Sequence, residues 1–281
     1  MTKYAVFTMD VEDFADIYCL RKKNKERYPS MMDGFVAYLD LLDKYQIKAD
    51  FFVLADRIEK DRPFLEEALK RGHRLALHGL HHELPSNETG EDFVAQIAEA
   101  KRLVEEAFAI KIQGFRAPGF SVRQDEIERL PSLGFLYDAS QQNYRLGTFG
   151  AQLDTSSFKP VREGILMHDG LYEIKMPQSQ VHPLKGLPIG GGAYCRIPPH
   201  RFVKHVVEKT IKRTDLYVFY CHPFELSQIK IPHVGAIGPL NYVYLHHRKG
   251  FMKRIEEIIA FVKNDNYEFV TYEELLKRVE A

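Results

Sequence analysis

An α/β fold with parallel strands and helices outside them is predicted by three observations. Short β-rich apolar runs alternate with stretches of 3.6-residue apolar periodicity along the 281 residues. Ionisable residues stand directly after several of the apolar runs, where an α/β barrel gathers its polar rim. No composition shift and no internal repeat marks a boundary, so a single domain over 1–281 is expected, with a closed or nearly closed barrel favoured over an open sheet.

The elements follow in order. Lys3–Met9 is a β-rich run that ends in Asp10-Val11-Glu12-Asp13. Phe35, Leu39, Leu42 and Tyr45 keep helical spacing, and Lys48–Leu54 reads as a buried strand. Phe64–Arg71 reads as a helix stopped by Gly72. Arg74–Leu77 is a short strand that leads into His78, His81 and His82. Phe93, Ile97, Ala100, Val104 and Ala107 mark one face of a long helix. Ile110–Phe115 is strand-like and runs into Arg116-Ala117-Pro118-Gly119; a helix near Gln124–Leu133 and a strand at Gly134–Tyr137 follow. From about Ser140 to Pro199 an irregular insertion is expected to frame the rim, since Gly, Pro and Gln are frequent there, Gly190-Gly191-Gly192 included. Leu216–Cys221 is a strong buried-strand signal. Phe251, Ile255, Ile258 and Val262 mark a helix, Tyr267–Val270 a strand, and Thr271 with Glu274 a capping box that opens the last helix.

Composition removes several classes of function. Lys and Arg total 39 and Asp and Glu total 39, so the formal charge is zero. That balance argues against a nucleic-acid binder held by phosphate neutralisation and against a polybasic membrane anchor. Cys19, Cys195 and Cys221 form no CxxC pair, so neither a disulfide framework nor a cysteine-built zinc site is expected. The N-terminal residues lack the pattern of a signal peptide, and no apolar run approaches the ~18–20 residues of a membrane span. A soluble, cytoplasmic protein is expected.

Polar groups after predicted strands are the main functional signal, because unpaired charge is costly to bury. His78 and His82 stand at i and i+4, which on a helical turn puts both imidazoles on one side, a spacing suited to two nitrogen ligands of one divalent metal. In isolation, two surface histidines would be the better reading of that spacing; the acidic cluster elsewhere shifts the balance toward a metal. Asp10 and Glu12 should point the same way along a strand, so one carboxylate can bind the metal while another serves as base. Capping, or ion pairing with Lys22, Lys23 and Lys25, is the plain alternative, more apt for Asp16 than for Asp10. Arg116 suits bidentate hydrogen bonding to a carboxylate or a structural ion pair equally well. His222 suits a general acid, although a lone histidine after a buried strand is more often a packing residue. Gly190–Gly192 lacks both P-loop and GxGxxG spacing and reads as a tight turn or a close approach.

Taken together, these clusters resemble the NodB-type polysaccharide deacetylases of carbohydrate esterase family 4. Thr8-Met9-Asp10-Val11-Glu12-Asp13 is similar to the acidic first motif of that family, His78-Gly79-Leu80-His81-His82 to the second, and Phe115-Arg116-Ala117-Pro118-Gly119 to the third. Asp138, in Gly134-Phe135-Leu136-Tyr137-Asp138, stands where the aspartate of the fourth is expected, and Phe219-Tyr220-Cys221-His222-Pro223 corresponds to the last. The Gly190–Arg196 stretch and the His-Pro-Phe-Glu run further resemble a branch linked to exopolysaccharide and O-antigen loci.

The resemblance implies a distorted (β/α)7-type barrel and metal-dependent removal of an N-acyl group, usually N-acetyl, from an amino sugar. It implies Asp10 as base, His78 and His82 as metal ligands with a carboxylate from the first motif, Arg116 oriented by Asp138 to tune Asp10, and His222 as acid. The first motif departs from the family's two adjacent aspartates: strand alternation favours Glu12 as the third ligand, and Asp13 serves if the chain turns at Val11. The implied metal is zinc, with cobalt, nickel or iron as alternatives. The expected substrate is a sugar nucleotide, a lipid-linked intermediate or an oligosaccharide. Alternatives on the same scaffold are an N-deformylase, an allantoinase-like amidohydrolase and a non-catalytic carbohydrate-binding protein; two histidines and one carboxylate also suit a non-haem iron oxygenase.

Overall fold

The computed structural model describes residues 2–17, 28–84, 90–142, 153–231, 243–244 and 246–280. Cys19, Lys22, Lys23 and Lys25, and residues 143–152 of the expected insertion, lie outside them. Among the described residues ten strands follow in chain order: β1 (Lys3–Val11), β2 (Ala49–Val53), β3 (Arg74–Leu77), β4 (Gly114–Phe115), β5 (Tyr137–Asp138), β6 (Lys159–Arg162), β7 (Ile165–His168), β8 (Leu171–Ile174), β9 (Leu216–Cys221) and β10 (Tyr267–Phe269). The chain groups into two compact units, one of Met1–Ala49 with Pro177–Thr271, the other of Asp50–Met176 with Tyr272–Ala281.

In the first unit β1 lies between two parallel partners. It pairs with β9 from Tyr4↔Leu216 to Met9↔Cys221 and with β10 from Lys3↔Tyr267 to Ala5↔Phe269. Both strand faces are buried, so β1 and β9 read as continuous apolar runs rather than alternating ones. Thr8 satisfies its hydroxyl inside this sheet by donating to the Phe219 carbonyl at 2.9 Å. The β1–β9 register has a consequence for chemistry: the residue after Met9 is Asp10 and the residue after Cys221 is His222, so both emerge at one edge of the sheet. The helices of this unit each bury one stripe, Phe35, Tyr38, Leu39 and Leu42 of Asp33–Tyr45 and Phe251, Ile255, Ile258, Ile259 and Val262 of Phe251–Asn264.

In the second unit β2, β3, β4, β5 and β8 pair in parallel, and β7 and β6 continue antiparallel from β8. The register runs Val53↔Leu77, Leu77↔Phe115 and Phe115↔Asp138, so His78, Arg116 and Asp138 fall at a common carboxyl edge. The strand pairings described do not close into a ring.

Several predicted elements differ in extent. The strand expected over Ile110–Phe115 is only Gly114–Phe115. The Tyr137 ring lies so close over Gly114 that a Cβ there would sit 2.0 Å from Tyr137 Cζ. The helix expected over Gln124–Leu133 stops at Ile127 and resumes as a 3-10 turn, Leu130–Leu133, because Pro131 cannot donate to a continuing helix. The insertion expected to be irregular holds the β6–β7–β8 meander. Exposure explains why it was not read: β6 buries no residue fully, so no apolar run announces it. The helix His200–Ile211 was likewise not predicted, although Val203, Val206, Val207 and Ile211 keep helical spacing.

Candidate active site

In the first unit Asp10 is buried within β1. The chain turns sharply at Val11, where the Glu12 amide donates to the Asp10 carbonyl at 2.9 Å. Asp13 then caps the 3-10 turn Phe14–Asp16: its Oδ1 accepts from the amides of Phe14 and Met31, each at 2.9 Å, and Asp16 Oδ2 accepts from the Asp13 amide at 3.1 Å. This reciprocal capping commits Asp13 Oδ1 and Asp16 Oδ2 to backbone amides. Glu12 turns instead toward His222, whose Nε2 lies 3.1 Å from Glu12 Oε1.

His222 is held by several neighbours. It stands at the N-cap of the short helix Pro223–Leu226, its Nδ1 2.9 Å from Glu225 Oε2. The Phe224 ring stacks on the imidazole with centroids 5.1 Å apart, and Tyr220 meets it edge-on at 5.6 Å. Burial pushes its pKa down, but hydrogen bonds and charge from Glu12 and Glu225 outweigh that and raise it to about 10, which makes the ring an imidazolium at neutral pH. Glu225 is held below the usual carboxylate range: burial pushes it up, while Arg196 and His222 pull it down further.

Gly190–Gly192 is a close backbone approach. The Tyr220 amide donates to the Gly190 carbonyl at 2.7 Å, and a Cβ on Gly191, whose φ is +127°, would stand 1.9 Å from the Tyr220 carbonyl oxygen. Only glycine fits there. The contact ties the start of the helix Gly192–Arg196 to β9, and that helix delivers Arg196.

In the second unit His78 and His82 are both buried, with ring centroids 5.7 Å apart at 49°. They are not on a helical turn, as the sequence suggested. A bend through Gly79, at φ +113°, brings them together, and amides of Ala55 and Asp56 pin it by donating to the Gly79 and Leu80 carbonyls at 3.0 and 2.9 Å. His78 Nδ1 is 2.7 Å from the Arg116 carbonyl oxygen. A carbonyl only accepts, so Nδ1 carries the proton and Nε2 the lone pair, the tautomer a metal-binding imidazole requires. His81 turns aside onto Asp56 Oδ2 at 2.9 Å.

Arg116 is fully buried. Its Nε donates to the Ala139 carbonyl at 3.2 Å, Nη2 donates to the Tyr272 hydroxyl at 3.1 Å, and its guanidinium lies 4.0 Å from the Phe52 ring centroid. Asp138 accepts from the Ser140 amide and hydroxyl at 2.8 and 2.7 Å, and Ser140 Oγ accepts from the Ala117 amide at 2.8 Å. Asp138 therefore reaches Arg116 through backbone, by way of Ser140 and Ala117.

Sequence reading did not single out Glu225, Arg196, Ser140 or Glu173. Glu225 had a signal, since a histidine with an acid three residues later across a proline is a capping pattern. Arg196 closes the Gly190–Arg196 stretch noted for its resemblance, and Ser140 and Glu173 had no signal.

Residues 29–137 match the family model "Polysaccharide deacetylase", and residues 151–277 match "Domain of unknown function (DUF3473)". Over residues 29–137 the chain is similar to the polysaccharide deacetylases. It is 25% identical over 134 residues to a bifunctional xylanase/deacetylase of Pseudobutyrivibrio xylanivorans (47% of this chain, 22% of that protein). It is 31% identical over 81 residues to a peptidoglycan-N-acetylglucosamine deacetylase of Bacillus cereus (29% of this chain, 38% of that protein). The chain thus spans well under two thirds of the length of these deacetylases. Its fold is that of a Mycobacterium smegmatis protein assigned to the polysaccharide deacetylases, with a TM-score of 0.64 at 16% identity over 100% of this chain and 91% of the other. A family 4 pseudoenzyme from Bacillus anthracis shares the fold as well, with a TM-score of 0.58 at 12% identity over 98% of this chain and 66% of the other. The α/β class expected from the sequence is the class found. No helix among the described residues is long and apolar enough to cross a membrane.

Proposed function

We propose that this deacetylase relative is a metal-dependent N-deacetylase acting on an amino sugar in the assembly of a polysaccharide or glycoconjugate, working in the cytoplasm. The observation that carries the reading is the buried His78–His82 pair, with His78 held in the metal-binding tautomer by the Arg116 carbonyl. His78 and His82, with Glu12 as the carboxylate, would hold the ion. Two imidazoles and one carboxylate are a donor set that suits zinc, and cobalt, nickel or iron also fit it. Asp13 is left out of this set because its carboxylate caps the turn after β1. A bound divalent ion supplies Lewis acidity to the acyl carbonyl and to the attacking water.

The chain's own residues would do the rest. Asp10 takes the proton from the water as its oxygen bonds to the acyl carbon. His222, charged at neutral pH, gives its Nε2 proton to the sugar nitrogen as the C–N bond breaks, so that an amine leaves rather than an amide anion. The products are the free carboxylate and the amino sugar. Arg116, buried and fixed by Ala139 and Tyr272, is proposed to position Asp10, with Asp138 supporting it through Ser140.

The Gly190–Arg196 and His-Pro-Phe-Glu stretches support a place among O-antigen and exopolysaccharide deacetylases. On that reading the substrate is a sugar nucleotide, a lipid-linked intermediate or an oligosaccharide. Metal analysis of the purified protein, joined to an acyl-release assay on N-acetylated nucleotide sugars and oligosaccharides, tests it. Acetate release that follows metal content supports the proposal. Formate release would move the reading to a deformylase, and absence of both metal and product would overturn it.

A further inference from the structure

We propose that Glu225 and Arg196 are the positioning residues for His222, forming a buried line that sets which imidazole nitrogen faces the substrate. The inference rests on the reading of His222 as proton donor and names what orients it.

The line lies within one compact unit. Arg196 Nε donates to Glu225 Oε1 at 2.8 Å, and Glu225 Oε2 accepts from both His222 Nδ1 and the His222 amide, at 2.9 and 3.1 Å. Arg196 and Glu225 are each 1% exposed, while the His222 side chain keeps 17% of its surface open. The arginine is itself held by three acceptors: Glu225, the Val243 carbonyl at 2.6 Å and the His246 carbonyl. A planar guanidinium in three fixed bonds has little freedom, so it holds Glu225 in one rotamer. Glu225 in turn can only accept. It therefore keeps Nδ1 as a donor and turns Nε2, on the opposite side of the ring, toward Glu12, whose Oε1 lies 3.1 Å away.

Chain geometry makes the arrangement local. Glu225 lies in the first turn of the helix that His222 caps, three residues on, and Arg196 ends the helix that Gly191 presses against β9. A function for Glu225 beyond capping follows from its two oxygens: one serves the backbone and ring of His222, the other serves Arg196. A cap alone does not need the second contact.

The test is a double-variant cycle with a spectroscopic readout. Glu225→Gln keeps the shape, but its single oxygen serves either Arg196 or His222. We expect kcat to fall about 100-fold with KM within about twofold, because proton transfer by a placed group is worth about 10²–10⁴-fold. Arg196→Met should lower kcat about tenfold, and in the Glu225→Gln background it should cost less than about threefold more, since Arg196 acts through Glu225. Side-chain ¹⁵N spectra of the metal-free protein, with the His222 signals assigned from His222→Gln, should show a hydrogen-bonded Nδ1–H in the wild type that is lost in Glu225→Gln. That readout stands even where Arg196 variants do not fold. A Glu225→Gln enzyme that keeps more than about a third of the wild-type kcat, losses that simply multiply, or an unchanged Nδ1–H signal would overturn the proposal. Failure of the underlying reading looks different: His222→Gln would then be as active as the wild type.

Discussion

Asp138 and Glu173 face one another as register partners on the adjacent parallel strands β5 and β8, and both are fully buried. Burial pushes the Glu173 carboxyl far above its ordinary range, and the neighbouring Asp138 charge pushes it the same way. Asp138 rises less, to about 6, because burial is offset by hydrogen bonds from Ser140 and Glu173. The two titrate as a pair in which Glu173 keeps the proton.

The sign of the resulting pH dependence follows. Both folded values exceed the unfolded values near 4, so the folded state holds more protons than the unfolded state above that pH. The stabilisation is complete below about pH 4 and is lost as pH rises through about 6 and beyond. Urea unfolding between pH 4.5 and 8 should show this decline. Glu173→Gln, which keeps the shape but carries no titrating proton, should flatten it; an unchanged slope would contradict the coupled pair.

Asp10→Asn preserves shape at a buried strand position and removes the ability to take a proton. Turnover should fall about 10²–10⁴-fold, with metal content and melting temperature kept. An Asn variant that keeps more than a tenth of the wild-type kcat would remove Asp10 from the role of base.

The proposed metal site would separate the two acids that the sequence left open. His78→Gln, His82→Gln and Glu12→Gln should each lose most of the bound ion. They should also lose the thermal stabilisation by added zinc, which for an intact site at a hundred times its Kd is worth about 2.7 kcal/mol. Asp13→Ala should keep the ion and instead cost about 1 kcal/mol, the usual loss for an N-cap, because its Oδ1 holds the amides of Phe14 and Met31. Metal loss on Asp13→Ala with retention on Glu12→Gln would reverse the assignment.

What was legible in the sequence follows the strength of the local signal. The strand Leu216–Cys221 is buried on both faces and was readable to the residue, because a parallel strand in a sheet core has to be apolar throughout. The long helix Gly90–Phe108 was readable from its stripe of Phe93, Ile97, Ala100 and Val104. The β6–β8 meander was not, since its stability comes from pairing with neighbours rather than from its own composition. The same division holds at the site. His78, His82, Arg116 and His222 follow strands and stood out. The partners that orient them did not, for Glu225 looked like a cap, while Arg196 and Glu173 become partners only once distant segments are folded together.

Gly34 tests whether the setting of His222 depends on close helix contact. It lies in the helix Asp33–Tyr45, where a Cβ would stand 1.9 Å from the Pro223 carbonyl oxygen and 2.7 Å from the Ser227 amide nitrogen. Both are backbone atoms, so no side-chain rotation relieves the clash, and the helix Pro223–Leu226 has to move. That helix carries Glu225 and is capped by His222, so displacing it should disturb stability and proton donation together. Gly34→Ala should cost about 1–3 kcal/mol, a fall of about 2–12 °C in Tm, despite the better helix propensity of alanine. Its kcat should fall more than its KM changes. Val36→Ala, at an exposed position of the same helix, should leave both within about 0.5 kcal/mol of the wild type. Calorimetry and acyl-release kinetics on the two variants check this; a Gly34→Ala protein as stable and as active as Val36→Ala would show that the contact is not needed.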